Sequence, residues 1–402
     1  RDTIRVAWSA ATGAESYRVE LVGVSSKLTT TVTGSTNAVF AGVPDNANFT
    51  ANVYTVNAGG ETKGSTATVK TNHFPWDEYY ATSLHLTRAG KETWYSAKNG
   101  GLEKQMKLPM SAMYQGCQGC HRADQPIGTN GCEGCHDTPT PKLGAKVDAT
   151  LEGVCGGCHN RSVYEAVDHK FTDVHRDELG FDCMSCHTMG DVHGDGVAHG
   201  SMFEEGAIDA KCENCHETRE NNLFHSTHEG TVACTLCHMQ MVLSCYNCHV
   251  AGALLTPPEK VARRRILDWK FMVNYKGKVA PANVFTAVYG QETFAAIAPY
   301  TTHTIARNAV KGCGDCHKSA IMADLDADGV LKLATYDPAT TNVKNLKGFI
   351  PVPYNYEDAF KFDFLSYDRA TKKWSLLEEN GPDRFQMLYA QPLTREQMNK
   401  LR

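Results

Sequence analysis

The sequence predicts two unlike parts: an N-terminal all-β sandwich, then a mostly irregular, short-helix fold whose core is not built from side chains. Three observations carry this. Residues 1–71 contain neither Cys nor His and alternate apolar with polar residues. All 16 cysteines of the 402-residue chain fall later, in eight copies of C-x-x-C-H. Between 110 and 320 that leaves roughly 26 residues per copy, too few to build a conventional hydrophobic core around each one.

In the first part, "TIRVAWSA" alternates Ile4, Val6 and Trp8 with polar neighbours, and "ESYRVELV" does the same with Tyr17, Val19 and Leu21. "NFTANVYTVNAGG" runs into a turn before "ETKGSTATVKT". Such strands, separated by Gly, Asn and Pro-Asp turns, predict a β-sandwich over 1–71. The stretches "VAWSAATGAESYRVEL" and "VYTVNAGGETKGS" resemble fibronectin type III domains. In that family one more strand usually precedes the tryptophan-bearing one, so the expectation is either that further residues precede Arg1 in the protein or that the sandwich lacks an edge strand and exposes unpaired backbone.

The eight motifs are "CQGCH" (Cys117, Cys120, His121), "CEGCH" (Cys132, Cys135, His136), "CGGCH" (Cys155, Cys158, His159) and "CMSCH" (Cys183, Cys186, His187). "CENCH" (Cys212, Cys215, His216), "CTLCH" (Cys234, Cys237, His238), "CYNCH" (Cys245, Cys248, His249) and "CGDCH" (Cys313, Cys316, His317) complete the set. Zinc sites and disulfides also use paired cysteines, but neither needs a histidine directly after every pair. With 17 histidines in the chain, eight chance coincidences have a probability on the order of 10^-11. The motif is that of covalent c-type haem attachment. Two cysteines three apart lie on one side of a helical turn, where both sulfurs reach the vinyl groups of one porphyrin. The following histidine then supplies the proximal nitrogen to iron. The expectation is eight c-type haems, with the porphyrins themselves as core of the second part. Motifs six and seven start 11 residues apart, so their haems are expected to be neighbours.

These motifs, with "HMQMVLSCYNCH" and "VFTAVYGQETFAAIAPYTTHTI", resemble the multihaem c-type cytochromes, in particular those of metal-reducing, externally respiring bacteria and their cytochrome filament (nanowire) subunits. The resemblance spans about 73–402. It implies attachment outside the cytoplasm, hence an exported, processed chain at the cell surface or beyond, or in the periplasm. It also implies redox partner proteins and extracellular electron acceptors as partners, and a homopolymer. No run approaches the ~18 apolar residues of a membrane span. The formal charge of −5, made more negative by haem propionates, argues against nucleic acid or anionic membrane as a partner.

The domain expectation is therefore the sandwich at 1–71, an octahaem domain at 72–320, and a haem-free extension at 321–402 packed on it. Within the gap before Cys313, "NYKGK" suggests a hairpin, and Arg263, Arg264 and Arg265 could pair with propionates, although a solvated basic run is the commoner case. In the extension, "LTREQMNKL" suggests a helix with Thr394 and Gln397 as capping box. "DLDADG" makes Asp324, Asp326 and Asp328 candidate calcium ligands, against which stands Thr335 at the twelfth position, where an EF-hand wants Glu.

Nine histidines lie outside the motifs: His73, His85, His169, His175, His193, His199, His225, His228 and His303. They suffice to give each of eight irons a sixth ligand, with one spare. Four of them precede a motif at short range: His175, His199, His228 and His303. Met189, Met239 and Met241 are rivals that would raise the potential, but methionine more often fills gaps in a core. Full bis-histidine ligation implies a conductor of electrons rather than an enzyme. The alternatives are an octahaem reductase acting on a small nitrogen or sulfur substrate at one open iron, and a monomeric shuttle. His73 and His85, far before the first motif, could serve an iron of the next subunit in a filament.

Overall fold

The computed structural model describes residues 3–24, 26–40, 43, 47–71, 76–109, 135–136, 149–150, 153–216, 220, 222–249, 264–310, 312–340, 342–368, 370–371, 373–377 and 384–402. It divides into two compact units. The first comprises 1–87, 126–149 and 182–211, and the second 88–125, 150–181 and 212–402. The sandwich thus shares its unit with the fourth motif instead of standing alone.

Six strands form the sandwich: β1 (Ile4–Ala7), β2 (Ser16–Val22), β3 (Lys27–Val32), β4 (Asn37–Phe40), β5 (Asn48–Asn57) and β6 (Gly60–Lys70). They make a two-stranded sheet, β1-β4, and a four-stranded sheet, β3-β2-β5-β6. The alternation read from the sequence is what builds its core: Ile4, Val6, Tyr17, Val19, Leu21, Phe40, Phe49 and Val53 are buried together, and Trp8 packs edge-on against Tyr17 at 5.2 Å. Strand β1 pairs with β4 and, among the described residues, with no other strand.

Short helices follow: α1 (Leu102–Met106), α2 (Val154–Cys158), α3 (Met189–His193), α4 (Leu223–His228), α5 (Cys234–His238), α6 (Ala320–Asp328) and α7 (Arg395–Leu401). Among the described residues no helix is long and apolar enough to cross a membrane.

The second unit departs from the irregular fold expected. It contains a seven-stranded sheet of β7 (Ser244–His249), β8 (Arg264–Ile266), β9 (Trp269–Tyr275), β10 (Lys278–Tyr289) and β11 (Glu292–Pro299), joined by β14 (Gly348–Pro351) and β18 (Phe385–Met387). Strands β12 (Leu331–Asp337), β13 (Asn342–Asn345) and β15 (Phe360–Phe362) form a second sheet, and β16 (Leu365–Asp368) pairs with β17 (Lys373–Leu376). The hairpin expected at "NYKGK" is present: Tyr275 pairs with Lys278 across Lys276 and Gly277. Both turn residues have positive φ, 51° and 83°, the combination whose twist matches the flanking strands.

This sheet has apolar residues on both faces, as a fully buried sheet must. Ala282, Val284 and Val288 of β10 join a core with Tyr246, Trp269, Phe271, Phe360 and Phe364. Phe285 and Ala287, on the opposite face, pack with Phe294, Leu102 and Met106. Residues after 320 supply part of the same sheet, β14 running parallel to β9 and β18 to β11. The extension is therefore woven into the sheet, not laid over a haem domain, and an ordinary polypeptide core exists where none was expected.

The calcium reading is corrected. Asp324 and Asp326 lie within α6 and Asp328 ends it, so successive carboxylates point to opposite sides of the helix axis. Ser319 caps this helix through Met322 N–H, and Gly329, at φ 69°, closes it. Asp326 is taken by Arg402 at 2.8 Å. Helix α7 carries the expected capping box, with Thr394 Oγ1 accepting from Gln397 N–H and Gln397 Oε1 from Thr394 N–H.

Candidate cofactor-binding sites

Among the described residues, five motifs each form one helical turn. The third and sixth lie in α2 and α5, and the fourth, fifth and eighth in single 3-10 turns. In four of them the motif histidine donates its N–H to the carbonyl of the first cysteine: His159 to Cys155 at 2.8 Å, His187 to Cys183 at 3.0 Å, His216 to Cys212 at 2.9 Å and His317 to Cys313 at 2.8 Å. That bond closes one turn, which brings residues three apart to one side of it.

The seventh motif reaches the same result from a different backbone. "CYNCH" is strand β7, and in a regular strand residues three apart face opposite sides of the sheet. Here Cys245 pairs with Phe285 and Cys248 with Ala287, so three steps along β7 match two along β10. The bulge places both sulfurs on one face and leaves Tyr246 in the core on the other. Its hinge is Asn247, at φ 56°, a left-handed conformation that Asn accepts better than most residues. Asn247 N–H donates to Thr286 Oγ1 at 2.7 Å, its Oδ1 accepts from Leu365 N–H at 3.0 Å and its Nδ2 donates to Leu365 O at 3.3 Å. Sequence reasoning missed this residue. The signal was an Asn inside a motif flanked by the β-formers of "MVLSCY".

Four histidines outside the motifs stand opposite motif histidines. The ring centroids of His193 and His136 are 6.2 Å apart, those of His175 and His216 6.0 Å, those of His225 and His238 6.1 Å, and those of His228 and His317 6.0 Å. Two imidazoles on opposite sides of one metal, each with a bond of about 2 Å and a ring nitrogen about 1 Å from its centroid, give about 6 Å. A single ring pair at this distance is ordinary packing. Four pairs, each joining a motif histidine to one outside the motifs, fit the width of one haem iron.

The ring nitrogens agree with this. Nδ1 of His225 is 2.8 Å from Glu220 O, that of His228 2.9 Å from Phe224 O, and that of His238 3.0 Å from Ala306 O, with His317 similarly held by Lys400 O. A carbonyl only accepts, so Nδ1 carries the proton and Nε2 keeps its lone pair for a metal. Burial, and then the proximity of His136, push His193 below the ordinary histidine range, which favours the neutral form that ligates. Burial pushes Cys237 up and Cys316 up to about 12, the reverse of what a thiolate nucleophile or zinc ligand needs. Among the described residues no group of three or more His, Cys, Asp and Glu is arranged to hold a bare metal ion.

His187 has a carboxylate partner. Asp191 Oδ2 lies 3.1 Å from its Nδ1 and also accepts from Thr188 N–H at 3.2 Å, while Oδ1 accepts from Asp209 N–H at 2.6 Å. Burial works to raise Asp191, but His187 and these backbone donors hold it below the usual carboxylate range. An anionic partner makes an imidazole a stronger donor to metal. Were haem bound at this motif, Asp191→Asn would be expected to raise its reduction potential by roughly 60 mV, a tenfold shift for a one-electron couple. A redox titration followed haem by haem checks this; an unchanged set of potentials contradicts it.

The other candidates are distributed as follows. His85 Nδ1 faces Val192 O at 3.1 Å, beside His193 on α3. His169 packs edge-on against Tyr164 at 4.4 Å, His199 lies 3.6 Å from Glu204, and His303 Nδ1 is 3.1 Å from Ser162 Oγ. His73, Cys117, Cys120, His121, Cys132 and Arg263 lie outside the described residues, as do the side chains of His249 and Arg264. Arg265 stacks on Tyr164 at 3.7 Å and, with Lys270 and Lys347, lines a cavity of about 540 Å³. Met239 and Met241 are buried, and the Met239 sulfur accepts from Thr302 N–H at 3.1 Å. They fill the core, as methionine usually does.

No family model and no curated protein matches the chain. Solved structures match over 18% of it: the fn3 domain of human collagen alpha-1(XX) chain at 24% identity, covering 72% of that chain, and the FN5 domain of Drosophila Lar at 14% and 84%. A third, described as FN3tt mut, matches at 25% identity over 80% of its length. The TM-score is 0.17 in each case.

Proposed function

We propose that this chain is an electron carrier that holds c-type haem covalently at its C-x-x-C-H motifs, with two histidines on each iron. The observation that carries this reading is the set of four motif–partner histidine pairs, each spaced for a single iron. Haem bound in this way supplies a one-electron couple. The chain's residues do the rest. Cysteine pairs fix the porphyrins, one on the bulged face of β7 and others on single helical turns. Paired imidazoles, His225 with His238 and His228 with His317 each anchored through Nδ1 to a backbone carbonyl, would hold an iron from both sides with no exchangeable site for a substrate, which favours conduction over reduction of a small molecule. Bis-histidine ligation also keeps the potentials low, suited to respiration toward external acceptors by an exported protein.

Carbon monoxide separates this reading from the enzyme. The reduced holoprotein is expected to bind none. Stoichiometric binding at one iron would mark an open site, and with it a reductase acting on a small nitrogen or sulfur compound.

A further inference from the structure

Helix α4 carries two of the paired histidines, three residues apart, and they face different motifs. His225 stands opposite His238 of the sixth motif and His228 opposite His317 of the eighth. Residues at this spacing share one side of a helix, with Cβ atoms about 5–6 Å apart. Each ring is tied by Nδ1 to a nearby backbone carbonyl, so the two imidazoles are held in a fixed relation by a single turn.

Other bonds draw the same two motifs together. Val310 N–H, three residues before Cys313, donates to Cys237 O at 3.2 Å. Lys270, half-buried and donating through Nζ to Met239 O at 3.2 Å, is influenced by Asp315 and Cys316 of the eighth motif and by Cys237 of the sixth. Leu236 and Cys316 pack on one apolar core. The fifth motif adjoins the sixth at its first cysteine: the Cys212 thiol lies beside that of Cys234, whose proximity pushes it up. The seventh motif turns away. Its sulfurs lie on the sheet face of Phe285 and Ala287, opposite the face to which Leu236 and Tyr246 contribute.

We infer that the sixth and eighth motifs hold neighbouring haems bridged by one turn of α4, with the fifth on the other side of the sixth, and that the seventh, only 11 residues after the sixth in sequence, stands apart. The inference rests on the haem reading proposed above. It replaces the order of motifs along the chain, five-six-seven-eight, with the spatial order five-six-eight.

Diffraction from crystals of the holoprotein at the iron absorption edge tests it, because anomalous peaks locate each iron independently of the protein fit. The two irons nearest to the one between His225 and His238 are expected to be those at His175/His216 and His228/His317. An iron at His249 closer than the one at His317 would overturn the inference and leave the haem reading intact. An absence of iron at all four histidine pairs would overturn both.

Discussion

Carbon monoxide bound per reduced holoprotein is expected to rise from zero to one when either His225 or His228 is replaced by alanine, and to two when both are. Each substitution removes one imidazole from a pair at 6.0–6.1 Å and leaves the opposing motif histidine, His238 or His317, in place. With haem bound as proposed, the iron would then keep one histidine and gain an open position. The helix should survive the change: both side chains are only half-buried, alanine is the best helix former, and the Asn222 side chain that accepts from His225 N–H at the N-cap is untouched. Methionine at either position refills the site and raises the potential, so His228→Met should abolish the carbon monoxide binding that His228→Ala creates. Equal binding by wild type and both alanine variants would show that α4 supplies no ligand.

The second large effect is expected at Asn247. Valine there is β-branched and resists a φ of 56°, at a cost of about 1–3 kcal/mol. It also strands the N–H and carbonyl of Leu365, which Asn247 satisfies in a buried setting. Together these should destabilise the holoprotein by roughly 3–4 kcal/mol in denaturant unfolding. The damage should centre on the seventh motif. Cysteines pinned to one porphyrin cannot follow β7 into a regular strand, because that would send Cys245 and Cys248 to opposite faces. One haem of the eight should therefore change its low-spin spectrum in Asn247→Val. Glycine keeps the backbone conformation and loses only the side-chain bonds, so Asn247→Gly should be destabilised less and keep the spectrum. An Asn247→Val protein with wild-type stability would remove the bulge from the account.

Local signals were readable and long-range ones were not. The sandwich strands follow from alternation, the β9–β10 turn from Lys-Gly between β-formers, and the cap of α7 from Thr394 and Gln397. The tail strands were missed because they are three to seven residues long and find partners far away in the chain, Gly348 opposite Trp269 and Phe385 opposite Ala295. Asp324, Asp326 and Asp328 suggested a loop by their spacing of two, while Ser319 and Gly329 already marked the ends of a helix. All eight motifs stood out in the sequence, and so did the pool of partner histidines. Which histidine meets which motif did not, since His193 reaches back to His136 and His228 passes over the nearest motif to reach His317. Of the two histidines that suggested a link between subunits, His85 is anchored through Nδ1 to Val192 O, as four of the paired histidines are to their own carbonyls, and His73 lies outside the described residues.

The central claim, that these motifs carry covalent haem, is tested most directly by the intact mass of the purified, denatured protein. The polypeptide is 44.1 kDa, and the account predicts that mass plus eight haems, surviving denaturation because each is held by thioether bonds. A mass of the polypeptide alone would contradict it.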